Sequence, residues 1–131
     1  MFTNIQQSFN ALFSAKLSKL HQVALWCAII AIFYLATTSA DHTVQSTFND
    51  KFNHLIAFIV LSLLAHLAYP KVRRFKWATT LFFYGLLIEA VQYFLPHREF
   101  SLLDLATDSA GIITYLIIFW PFFDKRLINN L

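Results

Sequence analysis

Four apolar runs alternate with short polar connections along the chain. They are Val23–Thr38, Phe52–Tyr69 broken by Asn53, His54 and His66, Trp77–Leu95 carrying Glu89 and Gln92, and Leu102–Phe123 with Asp104 and Asp108 near its start. A helix needs about 20 residues to cross the hydrocarbon core, within a usual range of about 17–25. The first run is short, and Leu17–Gln22 extends its helix toward the headgroups. The connections Ser39–Lys51, Pro70–Lys76 and Pro96–Ser101 are brief, which favours antiparallel neighbours. The pattern predicts an all-α chain, an integral membrane four-helix up-down bundle with spans near 23–38, 52–69, 77–95 and 102–123.

Composition strengthens the membrane reading. Of 131 residues, 58% are hydrophobic and 13% charged, more apolar surface than a soluble domain of this size can hide. The net charge of +3 gives no nucleic-acid footprint, because the basic residues flank the apolar runs. Lys16, Lys19, Lys71, Arg73, Arg74, Lys76, Lys125 and Arg126 fall on one side of a four-span chain, and only Lys51 and Arg98 on the other. The positive-inside rule then predicts both termini in the cytoplasm. Trp26, Trp77 and Trp120 sit at the same cytoplasmic ends, where an aromatic belt is expected. The single cysteine, Cys27, excludes an intrachain disulfide and a cysteine zinc site.

Residues 1–22 form an amino-terminal segment ahead of a transmembrane domain over 23–131. Ile5, Phe9, Leu12, Phe13 and Leu20 recur near helical spacing, as in an amphipathic helix lying on the inner surface. A partly ordered tail is the alternative. Thr38-Ser39-Ala40 looks like a signal-peptidase site, but the long segment before Val23 favours a retained anchor.

The polar residues inside the spans converge when each span is followed in its direction. The second begins outside, with Asp50, Lys51 and His54 at its outer end. The third ends outside, with Glu89 about 10 Å below Pro96 at 1.5 Å per residue and Gln92 one turn nearer the surface. The fourth begins outside with Asp104 and Asp108, and Arg98 and Glu99 lie in the connection. Gly85, Glu89 and Gln92 share a helical face, as do Asp104, Asp108 and Gly111, and as do Lys51, His54 and Phe58. Ionisable groups at such depth are expected to face the bundle interior or an aqueous cavity. Five acids against two bases leave a formal −3 in this layer, so a carboxyl holds a proton, His54 is charged, or a cation binds. Glu89, the deepest acid, is the one expected to hold the proton unless Arg98 or Lys51 reaches it.

Each residue also has a purely structural reading. Ser101-Leu-Leu-Asp104 matches a capping box that opens the fourth helix. Asn49 or Asp50 suits a cap on the second. Gln92 and Asp108 suit interhelical hydrogen bonds, and Ala106, Ala110 and Thr114 form a small-residue stripe suited to close helix contact. Glu89 has no local capping role. His21, His42, His66 and His97 carry weaker signals than His54.

The ordered set Asp50-Lys51-x-x-His54, Ala57-Phe58, Tyr84-Gly85, Glu89-x-x-Gln92, Pro96-x-Arg98-Glu99-x-Ser101-x-x-Asp104, position 108 and Gly111 resembles the VanZ-like family. These are small bacterial membrane proteins named after a glycopeptide-resistance factor. The resemblance covers about residues 25–123 and implies a multi-pass protein of the bacterial cytoplasmic (inner) membrane with a role at the cell envelope. It marks Asp50, Lys51, His54, Glu89, Gln92, Arg98, Ser101, Asp104 and Asp108 as the ligand-binding set. Asp108 departs from the family's usual Asn and His97 from its usual Gly, and the glycine-rich continuation after Gly111 is thin.

Three functions fit. In the first, the outer polar layer binds a lipid or cell-wall-precursor headgroup, with Lys51 and Arg98 on phosphate and Glu89, Gln92 and Asp104 orienting the rest. The second is an enzyme on a lipid headgroup, with His54 or Glu89 as the candidate catalytic acid or base. A metal-assisted form of it would use His54, Glu89, Asp104 and Asp108. No serine elbow, HExxH pair or phosphate loop is present, and no metal or cofactor is called for by motif. The third is a structural or assembly partner. Expected partners are membrane lipids, a lipid-linked headgroup or a divalent cation, and further copies of the chain, but not nucleic acid. Alternating-access transport fits four short spans poorly.

Overall fold

The computed structural model describes residues 3–5, 7, 17–38 and 47–129, with side chains from Asn49 to Asp124 in its second part. Four helical stretches account for most of it: α1 Ser18–Thr37, α2 Thr47–Ala68, α3 Arg74–Phe94 and α4 Leu102–Thr114. A π-helical stretch, Tyr115–Phe119, and α5, Trp120–Asn129, continue from α4. No strand occurs among the described residues.

Among the described residues, three segments are long and apolar enough to cross a membrane: Ser18–Thr37, Asn49–Ala68 and Leu102–Asp124. The third expected span, α3, is not among them, since Arg74, Lys76, Glu89 and Gln92 all fall within its 21 residues. Helix α1 takes in residues 18–22, as the expected extension of the first span over Leu17–Gln22 requires, so the amino-terminal segment of 1–22 ends inside it. Of the proposed surface-helix positions, Ile5 is exposed, Leu20 belongs to α1, and Phe9, Leu12 and Phe13 lie outside the described residues. So do Ser39 and Ala40 of the cleavage-like site.

Helix α2 packs against α1, α3 and α4, and α3 also packs against α1 and α4. The main core joins Leu25 of α1, Phe58 and Leu61 of α2, Trp77 and Leu81 of α3, Ile112 of α4 and Tyr115. Around it, Ile30, Tyr34, Leu35, Phe83, Phe94, Leu102 and Ile117 remain exposed. Leu25 is the one fully buried member of α1; Ala28, Ile29 and Ile32 pack beside it, while Ile30, Tyr34 and Leu35 leave the other side of an apolar helix bare. Water would penalise that surface at about 25 cal/mol per Å², whereas lipid solvates it.

Gly111 sets the closest approach of α4 to α2. A side-chain carbon there would lie 2.8 Å from the Leu55 carbonyl oxygen and 2.9 Å from Phe58 Cβ. The stripe Ala106, Ala110 and Thr114 does not make this contact. Ala106 and Ala110 are exposed and Thr114 only half-buried, since the polar face of Asp104 and Asp108 turns inward instead. The π-helical stretch also has a local cause. Pro121 lacks an N–H and its ring crowds the carbonyl four residues back, so the ladder widens just before it, and the Trp120 N–H bonds Tyr115 O.

Candidate functional site

The candidate layer forms where α2 and α4 begin and α3 ends. Ser101 is the N-cap of α4, with its hydroxyl accepting the Asp104 N–H at 3.2 Å. That satisfies one of the donors a helix start leaves free. Asp104 is therefore in the capping motif, yet its carboxylate reaches across to α2 and pairs with the Lys51 ammonium. Neither Asn49 nor Asp50 caps α2, because the helix starts earlier, at Thr47, and both fall in its opening turns.

One turn inward, His54 Nδ1 lies 2.8 Å from Asp108 Oδ1, and His54 Nε2 lies 4.0 Å from Asp104 Oδ2. With Asp108 ionised, Nδ1 is the donating nitrogen. Asp108 Oδ2 faces α3 at Gly85, where a side-chain carbon would come within 3.0 Å of it. Gly85 is one helical turn before Glu89, whose Oε2 accepts the Ser101 N–H at 2.9 Å. Three helices thus bring Lys51, His54, Glu89, Asp104, Asp108 and the Ser101 backbone together, as their faces in the sequence predict.

The layer is graded in depth. Glu89 and Asp108 are 0% and 1% exposed, while the side chains of His54 and Lys51 are 16% and 23% exposed. Glu89 Oε1 and Asp108 Oδ2 are buried with no hydrogen-bond partner among the described residues. One ligand atom from each of His54, Glu89 and Asp108 lies within 4.8 Å of the other two, and the same holds for Asp50, His54 and Asp104. Lys51 pairs with Asp104, and the hydrogen bond that reaches Glu89 comes from the Ser101 N–H.

Gln92 and Arg98 take a second task. The last carbonyls of a helix lack partners within it. Arg98 Nη2 donates to Leu35 O at 3.1 Å, Gln92 Nε2 donates to Ala36 O at 2.9 Å, and His97 Nε2 lies 3.1 Å from Thr37 O. The α3–α4 connection therefore closes the end of α1, and two residues marked for ligand binding hold backbone there.

Sequence reasoning missed a polar node near the other ends of these helices. His66 is 1% exposed, with Nδ1 2.7 Å from the Tyr115 hydroxyl and Nε2 3.9 Å from Asp124 Oδ1. Its ring stacks on Trp120 with centroids 4.1 Å apart, and Trp77 lies beyond at 6.3 Å. Trp77 is buried in this cluster instead of lining a lipid-facing belt, whereas Trp26 is exposed and points its indole N–H at Tyr69.

A family model described as VanZ/LLP1 matches residues 1–124. The chain belongs to this family. Membership agrees with the three membrane-length apolar helices, and together they make this VanZ-like chain a membrane protein. Glycopeptide resistance enters through the family's name. No curated protein and no solved structure matches the chain.

Proposed function

We propose that this VanZ-like protein crosses the bacterial cytoplasmic membrane as an up-down bundle of four helices, with both termini in the cytoplasm. In this reading the polar layer lies at the extracytoplasmic end and binds a lipid or cell-wall-precursor headgroup. The distribution of Lys and Arg supports the orientation, and short connections support the bundle. Helix α3 crosses with the others because Glu89 and Gln92 face its neighbours, leaving Phe83, Leu87 and Phe94 outside.

The observation that carries the headgroup reading is the position of the Lys51–Asp104 pair and His54 at the partly open edge of an otherwise buried acidic layer. An ammonium with one carboxylate partner retains donors for a phosphate, and His54 adds a polar edge beside it. Native mass spectrometry from nanodiscs containing phosphatidylglycerol and phosphatidylethanolamine tests this. The wild type should retain a phospholipid adduct through detergent stripping, and Lys51→Ala should lose most of it. Equal retention by wild type, Lys51→Ala and Arg98→Ala defeats the reading.

The His54–Asp108 pair favours a second reading, acid–base chemistry on the bound headgroup, because a carboxylate orients the imidazole for proton transfer. Headgroup turnover by purified protein, abolished by His54→Gln, would establish it.

A further inference from the structure

We propose that His54, Glu89 and Asp108 form a binding site for one divalent metal cation of the manganese or zinc type. The proposal rests on two buried carboxylates, not on the headgroup reading, and either can fail alone.

A buried carboxylate oxygen is costly to leave without a donor or a cation, more so than a neutral polar atom. Two such oxygens occur on neighbouring helices. Asp108 uses Oδ1 on His54 and turns Oδ2 to α3 at Gly85, one turn from Glu89. Glu89 uses Oε2 on the Ser101 N–H and leaves Oε1 without a partner among the described residues. Gly85 keeps the intervening space open, since a methyl group there would press on both Asp108 and Phe58.

Distances suit a cation. One ligand atom from each of the three residues lies within 4.8 Å of the others. Metal–ligand bonds of about 2.0–2.2 Å put ligand atoms up to about 4.4 Å apart, so a shift of a few tenths of an ångström closes the set. Charge suits it as well. Two carboxylates, a neutral imidazole and a divalent cation sum to zero, the cheapest total for a group this deep. The imidazole stays neutral, binding through the nitrogen that carries no proton, with the N–H on the other ring nitrogen. The mixed nitrogen and oxygen donors suit manganese or zinc better than calcium or magnesium, which favour oxygen throughout.

The test is titration of chelator-treated, detergent-purified protein with Mn2+, following the free-ion electron paramagnetic resonance signal. One Mn2+ per chain should disappear from that signal and return on adding Zn2+. Pulsed spectra of the bound ion should show coupling to one imidazole nitrogen, removed by His54→Gln. Glu89→Gln and Asp108→Asn, both near-isosteric, should each weaken binding at least about tenfold. No uptake, uptake unchanged in both carboxylate variants, or bound Mn2+ without nitrogen coupling overturns the site. Should a variant fail to fold, the nitrogen coupling of the wild type decides alone. Because no lipid is added, loss of Mn2+ uptake with lipid adducts intact removes only the cation site, and the reverse removes only the headgroup reading.

Discussion

Lys51 near the start of α2 pairs with Asp104 in the first turn of α4, so a capping motif on one helix is also the ionic tie to another. Glu89 accepts the Ser101 N–H that the Asp104 carboxylate of a full capping box would take, and that carboxylate goes to Lys51 instead. Lys51→Met should therefore free a carboxylate that is only 11% exposed and lower stability by more than an exposed ion pair's usual ~0–1 kcal/mol. The double variant Lys51→Met, Asp104→Leu should recover part of the loss. Chemical unfolding in detergent measures both.

Ser101→Ala removes the cap hydroxyl but keeps the N–H that Glu89 accepts. The expected cost is about 1 kcal/mol. Thermal unfolding followed by circular dichroism should show a modest drop in midpoint with helical content unchanged. Ser101→Pro, which also deletes the N–H, should cost more.

Gly111→Ala forces a carbon to within 2.8 Å of the Leu55 carbonyl, and backbone on α2 has to move. A loss of about 1–3 kcal/mol is expected from such overpacking. Ala110→Leu, on the exposed side of the same helix, should change stability little. Equal losses at 110 and 111 would contradict the placement of the helix face.

Tyr115→Phe deletes the hydroxyl that meets His66 and leaves a buried imidazole nitrogen unsatisfied, at a cost of about 1–3 kcal/mol. His66 packs near the end of α2 opposite His54, so retention of phospholipid adducts by the folded variant should match the wild type. A large loss of adduct in folded Tyr115→Phe would connect the two polar nodes.

Much of the layer was legible because period-3.6 spacing states which residues share a face. Gly85, Glu89 and Gln92 are all buried, as are Asp104, Asp108 and Gly111. Other features have no such signature. The partner of His66 is 49 residues away, and nothing local to either residue announces it. Arg98 donates to a backbone carbonyl, a target that every residue offers. The stripe Ala106, Ala110 and Thr114 fits a tight helix contact by size, but the adjacent face carries the acids, and burying those acids turns the stripe outward. The π-helical stretch before Pro121 is the intermediate case, since a proline within an apolar run signals a disturbed ladder without saying which form it takes.

Solid-state NMR of the protein in lipid bilayers, with 15N-labelled histidine and 13C-labelled aspartate, tests the central claim most directly. A cross-peak linking the His54 ring nitrogen to the Asp108 carboxyl carbon, absent in Asp108→Ala, is the predicted result. An Asp108 carboxyl that correlates with acyl-chain protons and shows no coupling to His54 would contradict a shared interior layer.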